Sequence, residues 1–194
     1  AQGSPPAEFV GYDQLAVVPR IRAIEPIGGD EALAKLEQSP FYAEGGGQVS
    51  DTGLITGNGG SAEVLDVLRL GDDQVLRLKV TGDLPAGAEV TASVDAARRH
   101  ATQANHTATH VLNWALRGAL GDGVRQAGSY VGPDKLRFDF SHRGRIEPEV
   151  LREIEQRDAA TFGTFMTQDD YQRHIAMRLA SEQDVRAFVT RAVA

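Results

Sequence analysis

The sequence predicts an α+β fold: a small β-barrel-like subdomain followed by an α/β core in which a central helix packs on an antiparallel sheet. Three observations carry that expectation. Residues 7–94 alternate short Val-, Ile- and Leu-rich runs with Gly, Asn and Asp turns, as many short strands do. Residues 95–120 keep a helical period, with Val111, Leu112, Trp114, Ala115, Leu116, Ala119 and Leu120 dense enough for a core helix. Residues 124–140 then read as a strand pair. The division falls at Asp95, giving a β-rich unit over 1–94 and a core over 95–194.

Taken in order, residues 1–6 read as a loose tail. Gln14–Ile27 is strand-like, and Gly28-Gly29-Asp30 turns it into a second strand over Glu31–Gln38, a hairpin. Further strands are expected at Leu54–Ile55, Ala62–Leu70, Gln74–Val80 and Ala88–Val94, separated by turns at 57–60, 71–73 and 84–87. Asp95 is placed as the N-cap of the central helix, which ends at Gly121. Val124–Tyr130 and Lys135–Phe140 form the later hairpin. A second helix is expected over Ile146–Phe162, with Glu147 and Glu149 suiting its N-terminus, and a short final one over Ser181–Ala192.

Composition narrows the function. The chain has 194 residues, 41% hydrophobic and 24% charged, ordinary for a globular protein. No apolar run approaches the length of a membrane span, and the N-terminus lacks the pattern of a signal peptide. With no cysteine there are no disulfides and no thiolate ligands or nucleophiles within these residues, as suits a cytoplasmic protein. The net charge of −7 is unlike that of a free-standing nucleic-acid binder. Any RNA contact would need a local basic face, for which Arg98, Arg99, Arg117, Arg125, Lys135, Arg137, Arg143 and Arg145 are the candidates, or a partner protein or further domain.

Two stretches carry chemistry. In Asn105-His106-Thr107-Ala108-Thr109-His110 the histidines stand four apart, on one face of a helix. Such a pair is either a surface or core feature or two ligands of one divalent metal, and a tetrahedral zinc site needs three or four protein ligands. In Phe41-Tyr42-Ala43-Glu44-Gly45-Gly46-Gly47-Gln48 with Asp51-Thr52-Gly53, three glycines open backbone conformations closed to other residues and leave amides free for carbonyl or phosphate oxygens. The alternative is a plain turn between strands. The spacing is not that of a dinucleotide fingerprint.

Together with Gln126-Ala127-Gly128-Ser129 and Leu136-Arg137-Phe138-Asp139-Phe140-Ser141-His142, these stretches resemble the editing domain of bacterial alanyl-tRNA synthetase and the free-standing alanyl-tRNA editing proteins, over roughly residues 9–155. The resemblance implies hydrolysis of the ester of Ser-tRNA(Ala) or Gly-tRNA(Ala), small amino acids that a pocket built for alanine rejects poorly by binding alone. It implies zinc, with His106 and His110 as ligands. It places Thr109 against the amino acid, Gln126 in the pocket, and Gly45, Gly46, Gly47 and Gln48 over the terminal adenosine and the ester, with Arg137 as a further substrate contact. Thr109, Gln126 and Gln48 are thus the catalytic candidates and the tRNA(Ala) acceptor end the partner, with no membrane role. The family completes its zinc set with a Cys-x-x-x-His pair roughly a hundred residues later. Here His142 or His174, with Asp169 or Asp170, are the candidate substitutes. Two other functions fit the same motifs: transfer of the aminoacyl group to a non-water acceptor, and silent binding of tRNA or a partner.

Overall fold

The computed structural model describes residues 5–165, and the chain divides into two compact units, Ala1–His100 and Ala101–Ala194. The first contains β1 (Glu8–Phe9), β2 (Ala16–Val17), β3 (Ile21–Gly28), β4 (Glu31–Leu36), β5 (Gln38–Ser39), β6 (Gly53–Gly57), β7 (Gly60–Leu70), β8 (Asp73–Gly82) and β9 (Thr91–Val94). Helix α1 (Ala96–Leu120) starts in the first unit and continues into the second, which holds β10 (Gln126–Val131), β11 (Leu136–Phe140) and α2 (Pro148–Phe165).

Seven strands of the first unit form one antiparallel sheet in the order β2-β9-β6-β7-β8-β4-β3. The hairpin around Gly28-Gly29 is as expected, and both glycines hold positive φ. The barrel is not. The sheet is an open ladder with β2 and β3 at its edges. The strand predicted over Gln14–Ile27 breaks at Pro19, which has no amide proton for a ladder. Individual bonds then tie the break to the chain before β9, from the Ile21 amide to the Ala88 carbonyl (2.9 Å) and from the Val90 amide to that of Pro19 (3.0 Å). A parallel pair, β1 with β5, was not foreseen, because two-residue strands carry no period.

The inner face of this sheet is apolar. Ile21, Leu36, Phe41, Ile55, Val64, Val67, Leu76 and Leu78 lie in its core, each almost fully buried. Phe41 also closes on Gly53. A Cβ there would stand 2.9 Å from the Phe41 ring and 2.1 Å from the Ser93 carbonyl, so only glycine fits where β6 passes β9.

In the second unit Ala115 and Leu116 of α1 pack with Val124, Phe138, Phe140, Ile146 and Ile154, while Ala108 and Val111 pack with Leu136. This is the expected helix on an antiparallel sheet, here the two-stranded β10–β11. Asp95 caps α1, its Oδ1 accepting from the Arg98 amide at 3.0 Å. Strand β10 begins later than predicted because Val124 turns into the core. Helix α2 begins at Pro148, whose fixed φ suits a first helical turn. The final helix expected over Ser181–Ala192 lies outside the described residues.

One polar group stands out in this unit. Asp158 on α2 is 6% exposed, and its Oδ1 has no hydrogen-bond partner among the described residues. Burial pushes its carboxyl from the ordinary 3.8 up to about 7. A carboxyl that holds its proton more tightly folded than unfolded contributes stability below its unfolded pKa and loses it as pH rises through the folded one. Stability is therefore expected to fall between about pH 4 and pH 7, by on the order of 3 kcal/mol, and Asp158→Asn to flatten that fall. Thermal melts across this range check it. Parallel curves for the two proteins would clear Asp158 of the effect.

Candidate functional site

The glycine stretch of the first unit is a closed hairpin turn. The Gly45 and Gln48 main chains bond to each other twice, at 3.1 and 3.0 Å, and Gly46 and Gly47 both have positive φ, 61° and 84°. That is a type I′ arrangement, which side chains other than Asn, Asp and Gly resist. Nothing lies within 4 Å of a Cβ at Gly46, so its backbone, not crowding, requires glycine. Gln48 is buried at the foot of the turn.

The turn stands on an ion pair. Asp51 Oδ2 accepts from the Tyr42 amide (2.7 Å), and both carboxylate oxygens accept from Arg99 Nε at 3.0 Å. Arg99 also donates to Asp51 from Nη2, to the Gly11 carbonyl (2.6 Å) and to the Pro40 carbonyl (2.9 Å). It is 3% exposed. Arg99 is thus removed from the candidate basic face: the fold consumes its charge. Asp51, within the glycine motif, is a structural anchor.

In the second unit α1 presents the histidines as predicted. Their rings stack, with centroids 5.1 Å apart and planes 26° from parallel. Partial burial, and then the neighbouring His110, hold the His106 imidazole below its ordinary value. Thr109 is buried beside them, its hydroxyl donating to the Asn105 carbonyl one turn back (2.8 Å). Asn105 itself donates from Nδ2 to the carbonyls of Gly132 (2.7 Å) and Pro133 (3.3 Å), fastening the helix to the β10–β11 turn.

Below the histidines the same stripe continues. Positions 106, 110, 113 and 117 step by four, three and four, one face of a helix. Asn113 and Arg117 open into a cleft of about 400 Å³ lined also by Asp122, Val124, Arg125 and Gln126. Gln126 is exposed there and donates to Ser129 Oγ at 3.2 Å. Arg137, on β11, is exposed and pairs with Asp139 at 3.1 Å. The second unit therefore gathers His106, His110 and Thr109 on one helix, with Gln126 in a cleft that the stripe reaches. Gly45, Gly46, Gly47 and Gln48 belong to the first unit. Asn105, Asn113 and the Arg99–Asp51 pair were not assigned from sequence. Stepping the helix by four and three from His106 finds Asn113, but no local signal finds the others.

Two imidazoles on one face suit two positions of a tetrahedral zinc. Among the described residues no group of three His, Cys, Asp or Glu side chains converges, so His142 does not complete the set. His174, Asp169 and Asp170 lie outside those residues.

Similarity to known proteins agrees with this placement. The family model of class II tRNA synthetases (A) matches residues 6–98. The chain is 51% identical over 153 residues to the alanine–tRNA ligase of Rubrobacter xylanophilus, covering 77% of this chain and 17% of that protein. It is 43% identical over 165 residues to that of Chloroflexus aurantiacus, covering 79% and 18%. With that of Frankia casuarinae the identity is 40% over 199 residues, covering 93% and 23%. The chain thus spans about a fifth of the length of these relatives. It is a domain related to alanyl-tRNA synthetase.

Proposed function

We propose that the chain hydrolyses the ester of tRNA(Ala) mischarged with serine or glycine. The observation that carries this reading is the stacked His106–His110 pair with the buried hydroxyl of Thr109 on the adjoining face of α1. The relatives' printed activity, joining alanine to tRNA, supports the acceptor end of tRNA(Ala) as the partner. A charged-tRNA substrate places the activity in the cytoplasm. Among the described residues no helix is long and apolar enough to cross a membrane.

Thr109 has given its proton to Asn105, so it meets a substrate as an acceptor. A serine hydroxyl can donate to it, and alanine cannot. Gln126 keeps its amide oxygen for the substrate, its Nε2 being held by Ser129. We place zinc on His106 and His110, its remaining donors drawn from outside the described residues. When bound, it would supply a Lewis acid.

The test is deacylation of Ser-, Gly- and Ala-tRNA(Ala) by the purified chain. Serine and glycine esters are expected to be cleared well ahead of alanine. Rates no better than the uncatalysed ester, with or without an amine acceptor, would leave only binding. Turnover solely with an added acceptor would make the chain a transferase. Thr109→Val, which keeps the shape and removes the hydroxyl, is expected to lower the serine-over-alanine preference roughly tenfold, the value of one hydrogen bond. An unchanged ratio of the two kcat/KM values would take Thr109 out of discrimination.

A further inference from the structure

A second cleft, of about 170 Å³, opens on the first unit beside the glycine turn, lined in part by Phe9, Tyr12, Tyr42, Arg69, Asp72 and Gln74. None of the residues discussed above for ester hydrolysis lines it. Gln74 is the anomaly. It is 8% exposed, yet its Nε2 makes no hydrogen bond among the described residues. Buried carboxamides are rarely left so, because the unmade bond is costly. A carboxamide carries a donor and an acceptor side by side, and the partner that satisfies both at once carries the opposite pair, as a nucleobase edge does.

The rest of the lining suits a flat heterocycle. The Tyr12 ring is 81% exposed and meets Phe9 edge-on at 5.0 Å, while Phe9 meets Tyr42 at 6.2 Å. An open ring face is a platform for an unpaired base. Arg69 stands within 3.9 Å of a Cβ placed on Gly45, at the rim toward the turn. The Asp73 carboxylate is already taken up by the buried Lys35 and by the amides of Ala7 and Gln74, so it does not oppose an electron-rich ring. We propose that this cleft holds a single unstacked nucleobase, its edge on the Gln74 carboxamide and its face on Tyr12. The inference concerns binding alone and does not rest on ester hydrolysis.

The experiment titrates the full chain with AMP and CMP and follows its backbone amide resonances. Saturable shifts at Gln74 and its neighbours are expected with at least one nucleotide and none with ribose 5-phosphate. Gln74→Leu and Tyr12→Ala are each expected to weaken binding at least about fivefold. Three results overturn the proposal: no saturable shift at Gln74 with either nucleotide, ribose 5-phosphate acting as well as the nucleotides, or unchanged affinity in both variants. Should Gln74→Leu fail to fold, Tyr12→Ala, at an exposed position, decides the matter alone. A chain that clears Ser-tRNA(Ala) but shows no nucleotide shift overturns this inference only. One that binds nucleotide without clearing any ester overturns only the proposed hydrolysis.

Discussion

Arg99→Ala is expected to lower stability by roughly 3–5 kcal/mol, the cost of removing one partner from a buried ion pair. The truncation leaves the Asp51 carboxylate buried without its cation, and strips the Gly11 and Pro40 carbonyls of their donor. Arg99→Lys should recover little, because a single ammonium cannot reach a carboxylate and two carbonyls as the planar guanidinium does. The double variant Arg99→Met with Asp51→Leu should recover much of the loss, since it removes both charges together. Urea unfolding reads all three. A loss below about 1 kcal/mol in Arg99→Ala would mean that water enters and replaces the guanidinium. The consequence for function is local: Asp51 fixes the Tyr42 amide, so the glycine turn should lose definition before the sheet unfolds.

His106→Ala is expected to remove bound zinc and to cut Ser-tRNA(Ala) deacylation by more than the 10–100-fold that loss of a group supporting a metal ligand costs. One imidazole of a stacked pair then remains, too few ligands to hold the ion. Elemental analysis and the deacylation rate are read on the same preparation. His100→Ala, an exposed histidine on the same helix, is the control and should alter neither. Zinc retained in His106→Ala would move the metal elsewhere. Zinc lost with full activity would remove it from the reaction.

What was legible in the sequence was local. The Asp95 cap, the Gly28-Gly29 hairpin and the long β7–β8 hairpin are each specified by residues a few positions apart, and each is found. The histidine face of α1 follows from spacing alone. What escaped joins distant residues. Arg99 read as surface charge because nothing near it in sequence announces Asp51, 48 positions away. Lys35 and Asp73, another ion pair with a buried lysine, are 38 apart. The barrel-like closure was inferred from strand number, and the broken edge at Pro19 decided against it. Asn105 stood in the motif from the outset. Its bond to Gly132 depends on where the hairpin turn comes to rest, which no periodicity encodes.

That bond sets the azimuth of the helix. An α-helix turns by 100° per residue, so a slip of a single residue would swing the histidine stripe a quarter of the way round and more. The Asn105 carboxamide, seated on the Gly132 and Pro133 carbonyls, works as an indexing pin against such rotation. Because His106, His110, Asn113 and Arg117 share one rigid shaft, they can be set or misset only as a group. A substitution that frees the pin would leave a helix of unchanged length and content, pointing its working edge at the wrong bearing.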